Sequence, residues 1–247
     1  MSEVDDSTRS IYLPVSHELS AVEAALKAPD KPSWRGWIHT GVLPVVIAGG
    51  VLLLVFANGI VAKWAVAVFF ASSLLLFGNS ALYHRINWRP SIKVALKRVD
   101  HANIFLLIAG SYTPISALAL PAGEGALLLW IAWGTALLGI GFRVFWISAP
   151  RWLYVPVYVA MGWAAFAFIR DFFAANAPMM ILILVGGLMY TAGAVIYGLK
   201  KPNPSPKHFG FHEIFHTLTV LAFLCHWTAS LLISLSPAIG SLGGLSR

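Results

Sequence analysis

The sequence predicts an all-α integral membrane protein: a bundle of seven transmembrane helices with its N-terminus cytosolic and its C-terminus outside. Three observations predict it. Only 11% of the residues are charged and 58% are hydrophobic, against about 25% charged in an ordinary soluble domain. Beyond Gly36 the acidic residues reduce to Asp100, Glu124, Asp171 and Glu213. The same stretch divides into seven apolar segments near the roughly 20 residues a helix needs to cross a bilayer.

Residues 1–34 form a cytosolic N-terminal segment. They hold six of the ten acidic residues and no apolar core, so they read as lacking a cleavable signal peptide. The stretch "SHELSAVEAALKAPD" has two readings. Ser20 and Glu23 have capping-box spacing, and Leu19, Val22 and Leu26 would lie as an apolar stripe on the membrane surface; the other reading is a disordered tail. The seven-helix domain covers 35–235, with spans at about 36–58, 62–83, 101–120, 125–147, 152–170, 176–199 and 210–234, followed by a short external tail over 236–247. Trp34, Trp37, Trp64, Trp88, Trp146 and Trp152 fall near span ends, where tryptophan suits the membrane–water interface. Pro44, Pro114 and Pro156 lie inside spans 1, 3 and 5 and are expected to kink them. In span 6, "GGLMYTAGAVIYG" supplies small residues that let helices approach closely.

The net charge of +7 follows the membrane and not a nucleic acid. With the N-terminus inside, alternate loops place 14 of the 17 basic residues on the inside, leaving Lys63, Arg170 and Arg247 outside, as the positive-inside rule requires. The lone Cys225 excludes an intramolecular disulfide and a cysteine-rich metal site.

Ionisable groups inside a membrane are costly and usually functional, and here they gather. Span 2 ends "FGNSALYHR", with Ser80 and His84 on one helical face; span 3 begins "RVDHANIF"; span 7 begins "FHEIFH", with His212 and His216 four apart. The alternating topology brings His84, Asp100, His212 and His216 to similar depth on the cytosolic side. Three imidazoles with a free fourth position suit catalytic Zn²⁺. His84, His212 and His216 are the expected ligands, with Asp100 either holding the metal-bound water or orienting a ligating histidine. "HEIFH" is also an H-E-x-x-H motif, in which the glutamate is a protease base. No acidic residue follows Glu213, and His226 lies ten residues beyond His216, about 15 Å along a helix. Glu213 therefore stands open between a group behind the ligands and a polar rim residue. His226 either bonds another helix or lines a cavity below the metal. His39 is a reserve ligand, His101 points to another face, and His17 and His208 read as solvated loop residues.

The stretches "SALYHR" at 80–85, "RVDHANIFLLIAGSYTP" at 98–114, "GGLMYTAGAVIYGLKKP" at 186–202 and "GFHEIFHTLTVLAFLCH" at 210–226 resemble the bacterial hemolysin III family. That family belongs to the larger group of progestin and adipoQ receptors, with alkaline ceramidases more remote. The resemblance implies a zinc site near the cytosolic face, with His84, His212 and His216 on the ion, Asp100 contacting it through water and Ser80 nearby. Many members carry a Glu and an Asn before span 1, where this chain has "KPSWRGWIHTG". The expected function is a zinc-dependent hydrolase of a lipid amide or ester in the inner (plasma) membrane, with Asp100 and Ser80 as catalytic groups and membrane lipids as partners. The rivals are a membrane-homeostasis regulator or receptor-like protein with structural zinc, a cytolysin, and an intramembrane metalloprotease.

Overall fold

A computed structural model describes residues 32–146 and 148–244. The surface helix considered for 16–30 lies outside the described residues. Among the described residues eight α-helices follow in order: α1 (Trp37–Phe56), α2 (Ile60–Arg85), α3 (Pro90–Ala119), α4 (Ala122–Phe145), α5 (Arg151–Gly162), α6 (Ile169–Ala175), α7 (Ala177–Leu199) and α8 (Phe211–Leu235). A 3₁₀ turn over Ala164–Phe168 joins α5 to α6, and the three pieces make one span, Arg151–Ala175. The protein is a seven-helix membrane bundle: among the described residues, seven helical stretches are long and apolar enough to cross a bilayer.

The bundle is built around α3. Of its most apolar 18-residue window, 78% is buried, against 28–44% in the other six spans. It packs on α2, α4, α5, α6 and α8. The sequence explains this: "AGSYTPISALA" supplies mainly small side chains, and Ala109, Ser116, Ala117 and Ala119 are buried among neighbours. Large apolar residues on the outer helices, including Trp64, Trp130, Leu137, Leu138 and Trp152, are exposed and face the lipid. α7 lies along α8. Their closeness depends on Gly186, where an added Cβ would meet the His226 ring at 2.5 Å.

Two elements depart from the sequence expectation. α3 starts at Pro90 and not near 101. Its first three turns carry Lys93, Lys97 and Arg98 and are largely exposed, so no apolar signal marks them. Pro at the first helical position, whose missing donor costs nothing there, marks the true start. The fifth span breaks at Gly162–Trp163, several residues past Pro156. The buried Tyr112 hydroxyl on α3 donates to the Gly162 carbonyl at 2.8 Å and accepts from the Ala165 amide at 2.9 Å. One side chain thus serves the backbone groups that the break releases, which lipid could not do. At the other end of α3, the amides of Ala238 and Gly243 donate to the carbonyls of Leu118 and Ala117. The segment after α8 therefore caps a helix end that would leave unpaired carbonyls.

Candidate metal centre

Three helix ends meet at one end of the bundle. His84 lies in the last turn of α2, Asp100 in the third turn of α3, and His212 and His216 in the first two turns of α8. The i,i+4 spacing puts both α8 rings on one face, with ring centroids 4.5 Å apart. The His84 ring stands 5.0 Å from His212 and 5.3 Å from His216. One nitrogen from each of the three rings falls within 4.8 Å of the others. The Nε2 atoms of His84 and His212 are 3.3 Å apart, close to the ~3.3 Å that two ligands at about 2.05 Å span across a tetrahedral angle. The cluster can hold a metal ion, and its all-imidazole donor set fits zinc. Asp100 Oδ2 lies 4.0 Å from His84 Nε2, and the Ser80 hydroxyl interacts with the Asp100 carboxylate.

Glu213 is not an exposed rim residue. It is buried; Oε1 pairs with Arg35 Nε at 2.5 Å and Oε2 accepts the Gly210 amide at 2.9 Å. The next amide, Phe211, donates to Asn203 Oδ1 at 3.1 Å. Two of the free amides at the start of α8 are thereby satisfied, and His212 is presented from a fixed helix end. The carboxylate of the H-E-x-x-H motif is thus engaged by Arg35 and the Gly210 amide.

Arg35 stands in the stretch where this chain departs from the resembling family, and the structure assigns that stretch a place. The Ser33 and Trp34 amides donate to the carbonyls of Lys207 and His208, and Ser33 Oγ contacts His208 Nδ1 at 3.1 Å. His208 is thus tied to the segment ahead of α1. Gly36 has φ +82°, and a Cβ there would meet His84 Cβ at 2.8 Å. The lead-in to α1 therefore braces His84 from one side and α8 from the other. Sequence reasoning missed this; the "RG" pair ahead of an apolar run was its one visible sign.

His39 is buried and stacks on His216, with ring centroids 3.9 Å apart and planes 2° from parallel; it lies outside the ligand-distance group. His101 turns away: its Nδ1 accepts from Arg143 Nη2 at 3.1 Å and its carbonyl accepts from Tyr158 at 3.1 Å. His226 lies deep against Tyr190, with ring centroids 5.5 Å apart.

Two cavities adjoin the cluster. An apolar one of about 110 Å³ runs from Ser80 and Asp100 past Tyr158 and Trp163 to Tyr190 and His226. A polar vestibule of about 410 Å³ is lined by His84, His212, Arg35, Lys97, Arg143 and Arg151, among others. Asp100 and Tyr197 line both, so those two residues mark the junction, with His84 and His212 on the vestibule side of it.

A family profile described as Haemolysin-III related matches residues 28–227. The chain belongs to that family. Within and around the haemolysin-III related group, it is 33% identical over 174 residues to a "Hemolysin-3 homolog" of Bacillus subtilis, covering 69% of this chain and 78% of that one. It is 33% identical over 138 residues to a "Hemolysin-3" of Bacillus cereus, covering 56% and 63%. A more distant relative, a "Progestin and adipoQ receptor-like protein 1" of Caenorhabditis elegans, is 27% identical over 187 residues, covering 67% of this chain and 42% of its own.

Proposed function

We propose that this haemolysin-III related protein is a zinc-dependent hydrolase of a lipid amide or ester, acting from the cytosolic leaflet of the inner membrane. The observation that carries the reading is the junction of a polar vestibule and an apolar cavity at Asp100, beside three convergent imidazoles. A lipid with its chain in the apolar cavity and its headgroup in the vestibule would bring its acyl carbonyl to that junction.

His84, His212 and His216 would hold the ion, which supplies Lewis acidity for the carbonyl and for water. Asp100 takes the proton of the attacking water as the new C–O bond forms. It returns that proton to the leaving nitrogen or oxygen as the C–N or C–O bond breaks, yielding a fatty acid and an amine or alcohol. Ser80 orients the Asp100 carboxylate. The apolar walls exclude bulk water from the carbonyl, which strengthens each polar contact there. A protease role is disfavoured by the engagement of Glu213 with Arg35 and Gly210.

The test is a panel of lipid amides and esters offered to purified protein of measured metal content. Hydrolysis that disappears on chelation and returns with Zn²⁺ supports the proposal. If no lipid is turned over and chelation only lowers thermal stability, the zinc is structural and the protein is a membrane-homeostasis regulator or receptor-like protein, in line with the name of its nematode relative. Lysis of added cells by the purified protein would instead support a cytolysin, as the Bacillus cereus relative is named.

A further inference from the structure

The vestibule is cationic, and its charges come from four separate places in the chain. Arg35 precedes α1, Lys97 lies on α3, Arg143 on α4 and Arg151 at the start of α5. Among the described lining residues the one carboxylate is Asp100. A general excess of basic residues on the cytosolic side needs only exposed lysines and arginines in loops. It does not require that four of them converge on one cavity, nor that one of them, Arg143, be buried at 1% exposure.

Arg35 is matched by Glu213 beneath it. Arg151 is not matched in this way: no described carboxylate lies within ion-pair distance of it. Its guanidinium lies 4.4 Å from the centroid of Tyr197 and 5.6 Å from that of Phe211, and Nη1 donates to the Tyr197 carbonyl at 3.0 Å. Tyr197 in turn lies against His212, with centroids 5.7 Å apart. Arg151 is thus held in place beside the metal cluster. Lys97, exposed one turn before Asp100 on α3, adds a second charge without a described ion-pair partner.

Taken with the apolar cavity that meets the vestibule at Asp100 and Tyr197, the geometry points to a phosphate-bearing lipid as the ligand, its anionic headgroup bound by Arg151 and Lys97 and its acyl chain in the cavity. A guanidinium fork matches phosphate oxygens, and charge-assisted hydrogen bonds are the stronger kind. This specifies the substrate class of the site proposed above and rests on that reading only for turnover; binding is tested separately.

Full-length, zinc-loaded protein in detergent is titrated with dioctanoyl phosphatidate, with dioctanoylglycerol, which lacks only the phosphate, and with inorganic phosphate. Binding is read by native mass spectrometry and calorimetry. Phosphatidate should bind at least about tenfold tighter than dioctanoylglycerol, and Arg151→Gln should remove at least about tenfold of its affinity while leaving dioctanoylglycerol unchanged. Lys97→Gln, on an exposed turn, should act in the same direction and keeps the test decisive if the Arg151 variant folds poorly. Equal affinity for the two lipids overturns the inference, as does phosphatidate affinity unmoved by Lys97→Gln. Inorganic phosphate binding as tightly as phosphatidate would show a free-anion site and overturn the lipid assignment. If phosphatidate is preferred but no lipid is hydrolysed, the headgroup inference stands and the hydrolase reading falls. Hydrolysis of neutral lipid amides without a phosphate preference gives the reverse.

Discussion

Asp100 and His84 stand 4.0 Å apart but are given different work, and two substitutions separate them. Asp100→Asn keeps the size and most hydrogen bonding of the side chain and removes its basicity. It should keep zinc and thermal stability while lipid turnover falls by roughly 10²–10⁴, the usual share of a general base. His84→Ala should lose zinc and lower the unfolding temperature together, since ligand binding is coupled to folding. His226→Ala should retain the metal, because His226 lies against Tyr190 at the far end of the apolar cavity. Equal zinc loss in the His226 and His216 variants, measured by elemental analysis, would refute the ligand set. The approach of these side chains was legible because a helix fixes spacing: i,i+4 histidines share a face, and three helix ends of alternating direction share a depth. The partner of Glu213 was not legible. Arg35 lies 178 residues away in the chain, in a segment with no periodic signal, and beyond the glycine that follows it nothing local sets it apart from the other basic residues that flank spans.

Elements were legible wherever apolarity marked them and illegible where polar groups did structural work. The seven spans appear at nearly their expected places, but the exposed basic turns of α3 carry no membrane signal, and the break in the fifth span depends on a tyrosine from another helix. Tyr112→Phe leaves the Gly162 carbonyl and Ala165 amide short of a buried partner. It should cost about 1–3 kcal/mol, read from chemical unfolding in detergent, and unchanged stability would show that the break satisfies itself. The lead-in to α1 gives a sharper case. Arg35→Met strands the Glu213 carboxylate, which is 1% exposed, and breaking such a pair costs about 3–5 kcal/mol. Adding Glu213→Gln should recover much of that loss, because the stranded charge and not the missing arginine is the chief penalty. A double variant no more stable than Arg35→Met would mean that the guanidinium acts by packing.

At the scale of the whole molecule, every functional statement depends on which side of the membrane holds the cluster. The bundle fixes relative placement: the end of α2, the early turns of α3 and the start of α8 share one end. Orientation comes from charge alone. Fourteen of the 17 basic residues belong to segments that alternate on one side, including Lys200, Lys201 and Lys207 between α7 and α8, and three belong to the other. Translocating a short basic loop is unfavourable, so this imbalance should set the cytosolic side. The vestibule, whose wall includes Arg35, Lys97 and Arg151, would then open to the cytosol, where the negative surface of the inner leaflet gathers around basic groups. A reporter fused after Arg247 should be active only outside, and one inserted in 200–208 only in the cytosol. The opposite pattern at both positions would invert the bundle. It would leave the fold and the histidine cluster intact while moving the proposed hydrolysis to the outer leaflet, and the distribution of basic residues would then have to follow the ligand and not the membrane.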